Sequence, residues 1–173
     1  MMIKKKILFK NLEIYEDKVF NDNRINVREA FNSKDNKKQL RLSVVTKSKK
    51  NVIRSLHYQI KKLQDKLIGV LKGKILDVVV DLRKNSKTFR KHFKITLSDQ
   101  NSKMLFVPNG FAHGFLGLSN DNIVLYSCSD FRYPHYERSI KWDDKNLKIK
   151  WGIKNPIISK RDSSAQSLEN ILR

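Results

Sequence analysis

A single cysteine, Cys128, stands in a chain of 173 residues, so no intrachain disulfide can form. It lies in an apolar run, where it is expected to act as a small buried hydrophobe. No stretch approaches the roughly 20 apolar residues that a membrane-spanning helix needs. The segment Met1-Met-Ile-Lys-Lys-Lys-Ile-Leu-Phe9-Lys10 has a basic head, but the apolar run behind it is only three residues, too short for a secretory core. A soluble cytoplasmic protein with no membrane partner is expected. Gly/Ser-rich and Pro-rich linkers are missing, and so is any internal repeat of convincing length. One domain over 1–173 follows, large enough to bury a core without disulfides or a structural metal. A glycine-rich phosphate loop and a dinucleotide fingerprint are absent too.

Acidic residues are scarce: 17 Asp and Glu face 37 Lys and Arg, a net charge of +20. Such an excess attracts polyanions, and a nucleic-acid binder is one reading of it. The lysines, however, are spread along the whole chain. Lys47-Ser-Lys49-Lys50 and Lys61-Lys62 are local clusters, with no zinc-finger spacing and no RNP-type aromatic motif beside them. A solvated basic surface is the better reading, and nucleic acid is not the expected partner. A basic field would also help to gather a diphosphate-bearing substrate.

What is present is mostly β signal. Lys66 to Val70 and Ile75 to Leu82 are apolar runs joined by Leu71-Lys72-Gly73-Lys74, which reads as a hairpin turn. His92 to Leu97 alternates in part, as a half-buried strand does. Ser98 to Ser102 is a turn cluster, and Lys103 to Val107 a short strand. Phe111 to Leu118 and Ile123 to Cys128 continue the series across Ser119-Asn-Asp-Asn122. Strands at this spacing indicate a sandwich or a barrel. Ser163 to Arg173 reads as a short helix, with Ser163 or Ser164 as its N-cap.

Into these strands the sequence places groups that move protons. His57 in Arg54-Ser-Leu-His57-Tyr-Gln59 and His113 in Pro108-Asn-Gly-Phe-Ala-His113-Gly-Phe115 are imidazoles among strand residues, and Tyr126 is a phenol in an apolar run. A polar group there is costly unless paired or working. Histidine supplies a base near neutral pH, and tyrosine a weak acid. Together in one apolar pocket they can remove a proton from one face of a substrate and return one to the other. Taken singly, each has a plainer reading: His57 and His113 as hydrogen-bonded structural histidines, Tyr126 as a core aromatic.

These segments, with Lys66-Leu67, Val80-Asp-Leu-Arg83, Glu137-Arg-Ser-Ile-Lys-Trp142-Asp-Asp144 and Pro156-Ile-Ile-Ser159-Lys160-Arg-Asp162, occur in one order. The series resembles the dTDP-4-dehydrorhamnose 3,5-epimerase family of nucleotide-sugar enzymes, from about residue 50 to 162 and more weakly over Asn21 to Asn32. The resemblance implies an all-β double-stranded β-helix, or cupin jelly roll, with short peripheral helices, assembled as a homodimer. It implies a nucleoside-diphosphate 4-keto-6-deoxyhexose as substrate, epimerised at C3, C5 or both in deoxysugar biosynthesis for a surface polysaccharide such as O-antigen. It also implies His57 as the base, Asp162 as the carboxylate that orients it, and Tyr126 as the acid. Lys66 and His113 would approach the ketone, while Arg54, Arg24, Glu29, Glu137 and Lys160 would bind substrate, Arg24 and Glu29 partly across the dimer interface. Any of these charged residues could instead be an ordinary surface ion-pair partner.

The departures carry information of their own. Where the family usually has a Gln-x-Asn pair, this chain reads Leu42-Ser43-Val44, and an expected aromatic pair is Asn26-Val27. Arg132 replaces a second site tyrosine, and a cation there would be expected to lower the pKa of Tyr126. A different nucleotide sugar, or inversion at one carbon only, is therefore expected. No metal is expected, because His57 is followed by Tyr58 and Gln59 rather than forming the His-x-His pair of metal-binding cupins. The reaction is redox-neutral and should need no cofactor. A ketoisomerase of the same fold is the alternative, with a polyanion-binding protein behind it.

Overall fold

A computed structural model describes residues 3–16, 19–32 and 39–172. Thirteen strands occur among them: β1 (Ile3–Lys6), β2 (Glu13–Glu16), β3 (Phe20–Asn21), β4 (Asn26–Val27), β5 (Leu42–Lys49), β6 (Ile53–Gln59), β7 (Lys66–Lys72), β8 (Lys74–Asp81), β9 (His92–Ser98), β10 (Lys103–Val107), β11 (Phe111–Gly117), β12 (Asp121–Cys128) and β13 (Glu137–Ile140). Six form one sheet in the order β1-β2-β10-β7-β12-β5, and five form a second in the order β13-β6-β11-β8-β9. The pair β3-β4 is a separate ribbon. Every ladder between these strands is antiparallel.

The main core lies between the two large sheets. Ile68, Val70, Leu105 and Val124 from the first meet Ile75, Val79, Leu97, Phe111 and Phe115 from the second. Burial of this apolar surface, at roughly 25 cal/mol per Å², is the chief driving force for the arrangement. The five-stranded sheet is covered on its other face as well. There Ile53, Leu56, Val78, Val80, Ala112 and Leu116 pack against Leu147, Trp151 and Leu168 of the C-terminal segment. That double burial explains why Ile75 to Val80 is a nearly unbroken apolar run rather than an alternating one.

The turn at Gly73 is where the structure departs from the expected hairpin. β7 belongs to the six-stranded sheet and β8 to the five-stranded one, so the chain crosses between layers instead of doubling back. Gly73 sits at φ +85°, and a Cβ on it would stand 2.2 Å from the Asp121 carbonyl oxygen. A glycine between two apolar runs reads the same in either case; only the partners of each strand separate the two.

The C-terminal segment differs as well. Helix α1 (Lys160–Ser163) starts earlier than expected, and its N-cap is Ser159, whose side chain accepts from the Asp162 amide at 3.1 Å. Ser163 and Ser164 close that turn, and a second short helix, α2, covers Leu168–Leu172. Arg173, the expected end of the helix, lies outside the described residues. No helix among the described residues is long and apolar enough to cross a membrane.

Strand β5 was not apparent from its sequence. It is an edge strand with most side chains exposed, so its alternation is weak.

Candidate active site

A cavity of about 210 Å³ opens between the two sheets. β6 and β11 supply one wall with Arg54, His57, His113 and Phe115. β5, β7 and β12 supply the facing wall with Leu42, Val44, Thr46, Lys66, Tyr126 and Cys128. Arg132, Glu137 and Arg161 also line the cavity.

His57 and His113 are partners in the β6–β11 ladder, so both imidazoles leave the same face. The ladder shifts register between His113 and Phe115, at Gly114. A Cβ on Gly114 would lie 2.5 Å from the Arg54 carbonyl oxygen, so glycine permits β6 to approach here.

Each histidine bonds to a buried carboxylate. His57 Nε2 lies 2.8 Å from Asp162 Oδ1, and the other oxygen of Asp162 accepts from the Ser55 amide at 3.1 Å. The Asp162 side chain is 6% exposed and that of His57 25%. Burial works to raise the Asp162 pKa, but the bond and charge of His57, with donors from Ser55 and Ser159, outweigh it and hold the carboxyl below its ordinary value. An ionised Asp162 accepts a hydrogen bond from the N–H of one ring nitrogen and leaves the other with its lone pair. His113 Nε2 lies 2.8 Å from Asp77 Oδ2, with both side chains buried, while Asp77 Oδ1 has no partner. Asp77 was not singled out in the sequence. The available signal was a lone carboxylate within an apolar strand.

Tyr126 stands on the facing sheet, its ring edge toward His113 at a centroid separation of 5.7 Å. Burial pushes its pKa well above the ordinary value for tyrosine, Arg54 opposes that rise, and Asp77 adds to it. The expectation that Arg132 would lower this pKa is overturned. Arg132 is taken up by Glu137 through Nε at 2.6 Å and Nη2 at 2.9 Å, and loss of water governs Tyr126. Arg161 Nη2 binds the same carboxylate at 2.7 Å. With two guanidiniums on it, Arg132 foremost, Glu137 is held at about 2.

Lys66 is kept below its ordinary pKa by loss of solvent, against the pull of Cys128, Glu137 and Asp77. The thiol of Cys128 is itself pushed up by burial.

The structure brings together His57, Asp162, Tyr126, Arg54, Lys66, His113, Arg132 and Glu137. Three other candidates lie elsewhere in this chain. Lys160 is exposed at the start of α1 and does not line the cavity; its neighbour Arg161 does, because the helical turn aims successive side chains in different directions. Arg24 is exposed and paired with Asp22 at 2.9 Å, and Glu29 is exposed and accepts from Asn32 at 3.1 Å. Neither lines the cavity.

Two facing sheets with imidazoles on one wall and a buried phenol on the other define a small-molecule site in a jelly-roll scaffold. Residues 6–170 match the family model described as dTDP-4-dehydrorhamnose 3,5-epimerase. The dTDP-4-dehydrorhamnose 3,5-epimerase of Methanothermobacter thermautotrophicus is 40% identical over 163 residues, 90% of this chain and 88% of that one. The enzyme of that name from Salmonella typhimurium is 37% identical over 99% of this chain and 98% of its own. Among solved structures, the dTDP-6-deoxy-D-glucose-3,5-epimerase of Legionella pneumophila in complex with dTDP-4-keto-L-rhamnose superposes with a TM-score of 0.95 at 34% identity, covering 99% of this chain and 95% of that one. The fold is the cupin jelly roll. The chain belongs to the dTDP-4-dehydrorhamnose 3,5-epimerase family, and is an isomerase of the nucleotide-sugar epimerase class.

Proposed function

We propose that this protein inverts C3, C5 or both in a nucleoside-diphosphate 4-keto-6-deoxyhexose, by proton removal and return through an enolate. The observation that carries the reading is the placement of a His57–Asp162 pair on one wall and Tyr126 on the facing wall. A substrate carbon between them has a base on one face and an acid on the other. A carbon beside a ketone is acidic enough for imidazole to deprotonate once the oxygen's developing charge is met. Lys66, with three donors, and His113, held by Asp77, would stand near that oxygen; donors already aimed at developing charge need no reorganisation.

Arg54 and Arg161 offer guanidiniums suited to phosphate oxygens, and Lys160 stands next to Arg161 at the start of α1. No step in this scheme transfers electrons to a cofactor. The same reading gives the enzyme a place in deoxysugar synthesis for surface polysaccharide, in the cytoplasm.

The test is incubation with several 4-keto-6-deoxy sugar nucleotides in D₂O, read by NMR at each carbon. Deuterium appearing at C3, C5 or both with inversion is expected. Carbonyl migration without inversion would make the protein a ketoisomerase instead.

We also propose a homodimer in which Arg24 and Glu29 serve the partner's substrate. The ribbon that carries this segment exposes Phe20 (67%), Ile25 (56%) and Val27 (51%), apolar surface that a second copy would cover. Sedimentation at micromolar concentration should give twice the 20.4 kDa chain mass. A 20.4 kDa species would leave Arg24 and Glu29 without this role.

A further inference from the structure

Thr46 is the one polar side chain that β5 contributes to the cavity wall, beside Leu42 and Val44. Its Oγ1 is buried and has no hydrogen-bond partner. A buried hydroxyl without a partner is unfavourable, and its persistence at a site calls for a reason. In the β5–β12 ladder Leu42 pairs with Cys128, Val44 with Tyr126 and Thr46 with Val124. Residues two apart share a face of the sheet, which sets Thr46 diagonally beside Tyr126 on the cavity side.

The need for such a hydroxyl comes from the acid step, and the inference rests on the reading of Tyr126 as that acid. When the Oη–H bond breaks and a C–H bond forms on the substrate, the electron pair stays on Oη. A phenolate is left where burial makes it costly. Leu42 and Val44 offer it nothing. Arg54 supplies favourable charge, whereas Asp77 opposes it. Thr46 Oγ1 has no hydrogen-bond partner at rest, and a hydroxyl turned toward the phenol oxygen from this position favours the ionised form.

We infer that Thr46 is a positioning residue for the acid, its otherwise unpartnered hydroxyl reserved to donate to the Tyr126 oxygen as phenolate charge develops. The proton on Thr46 Oγ1 stays where it is. His57 holds the proton taken from the substrate and Tyr126 has lost one, so the pair is an imidazolium and a phenolate until solvent restores both. Thr46 thus sets how the enolate divides between protonation by Tyr126 and return of a proton from the His57 face.

The readout is that division, measured in D₂O as inverted product against substrate that gained deuterium with retained configuration. It does not depend on which step limits turnover. Thr46→Val keeps the shape and removes the donor, and should lower the ratio about 10- to 100-fold, the scale of one hydrogen bond to a charged oxygen. Total exchange through His57 should be unchanged, and Thr46→Ser should restore the ratio. Added to Tyr126→Phe, Thr46→Val should cause no further loss, because its effect runs through the phenol. Thr46→Ala serves the same comparison if valine prevents folding. A wild-type ratio in a folded Thr46→Val or Thr46→Ala protein overturns the inference and leaves the Tyr126 reading standing. So does a further loss in the double variant. Inversion at the wild-type rate by Tyr126→Phe overturns the Tyr126 reading itself.

Discussion

Tyr126→Phe should exchange the substrate proton for deuterium and return it with its original configuration. The substitution keeps the ring, and with it the contacts to His113 and Phe115, and deletes the one proton the side chain can give. His57 would still form the enolate and reprotonate it from the same face. Inversion should fall by about 10² to 10⁴, the usual contribution of a positioned general acid. NMR of the recovered sugar nucleotide reads both outcomes at once. The burial of Tyr126 adds a pH signature. Its raised pKa keeps the phenol protonated through and beyond the ordinary tyrosine range, so inversion should not decline near pH 10 through loss of this proton. A fall there that disappears with the phenol would show that solvent reaches Tyr126 after all. Wild-type inversion by the variant would make Tyr126 a core aromatic, with Tyr133 and water the next donors to examine.

His57→Asn should lower solvent exchange by about 10² to 10⁴, while nucleotide affinity and fold change little. His57 sits on β6, and Asp162 keeps the Ser55 amide as a donor when the ring is gone, so the strand and the carboxylate remain supported. Asp162→Asn should cost less, about 10- to 100-fold, because the imidazole remains but loses the partner that fixes its tautomer and stabilises its cation. Exchange assays with folding checked by circular dichroism decide both. Wild-type exchange in His57→Asn would place the base elsewhere. No loss in Asp162→Asn would mean that the 2.8 Å contact is structural.

Much of the site was legible because it is built from short, local patterns. His57, Arg54, Lys66, His113, Tyr126 and Cys128 all lie in strands, where one register fixes which side chains share a face. The strand at Lys103 to Val107 was bounded correctly for the same reason, with a turn cluster before it and a proline after it. The placements that differ from expectation share another cause. Gly73 marks a turn in any case, but whether β7 and β8 pair or part depends on β10, β11 and β12, which lie far along the chain. Lys160 and Arg161 are equivalent as letters; the N-cap at Ser159 and the turn that follows it decide which one lines the cavity. Arg132 was placed near the phenol by analogy of position, and the structure instead binds it to Glu137.

By itself the sequence determined the kind of molecule: an all-β fold, imidazoles and a phenol set among strand residues, and a family membership carried by ordered motifs. It could do so because strand alternation and motif order are properties of neighbours along the chain. Tertiary structure alone decided that His57 and Tyr126 face each other from different sheets, that Asp77 backs His113, and that Thr46 is left without a partner beside Tyr126. Those are relations between segments tens of residues apart. They are set by which sheets pack together and how much water that packing removes, which no local pattern records.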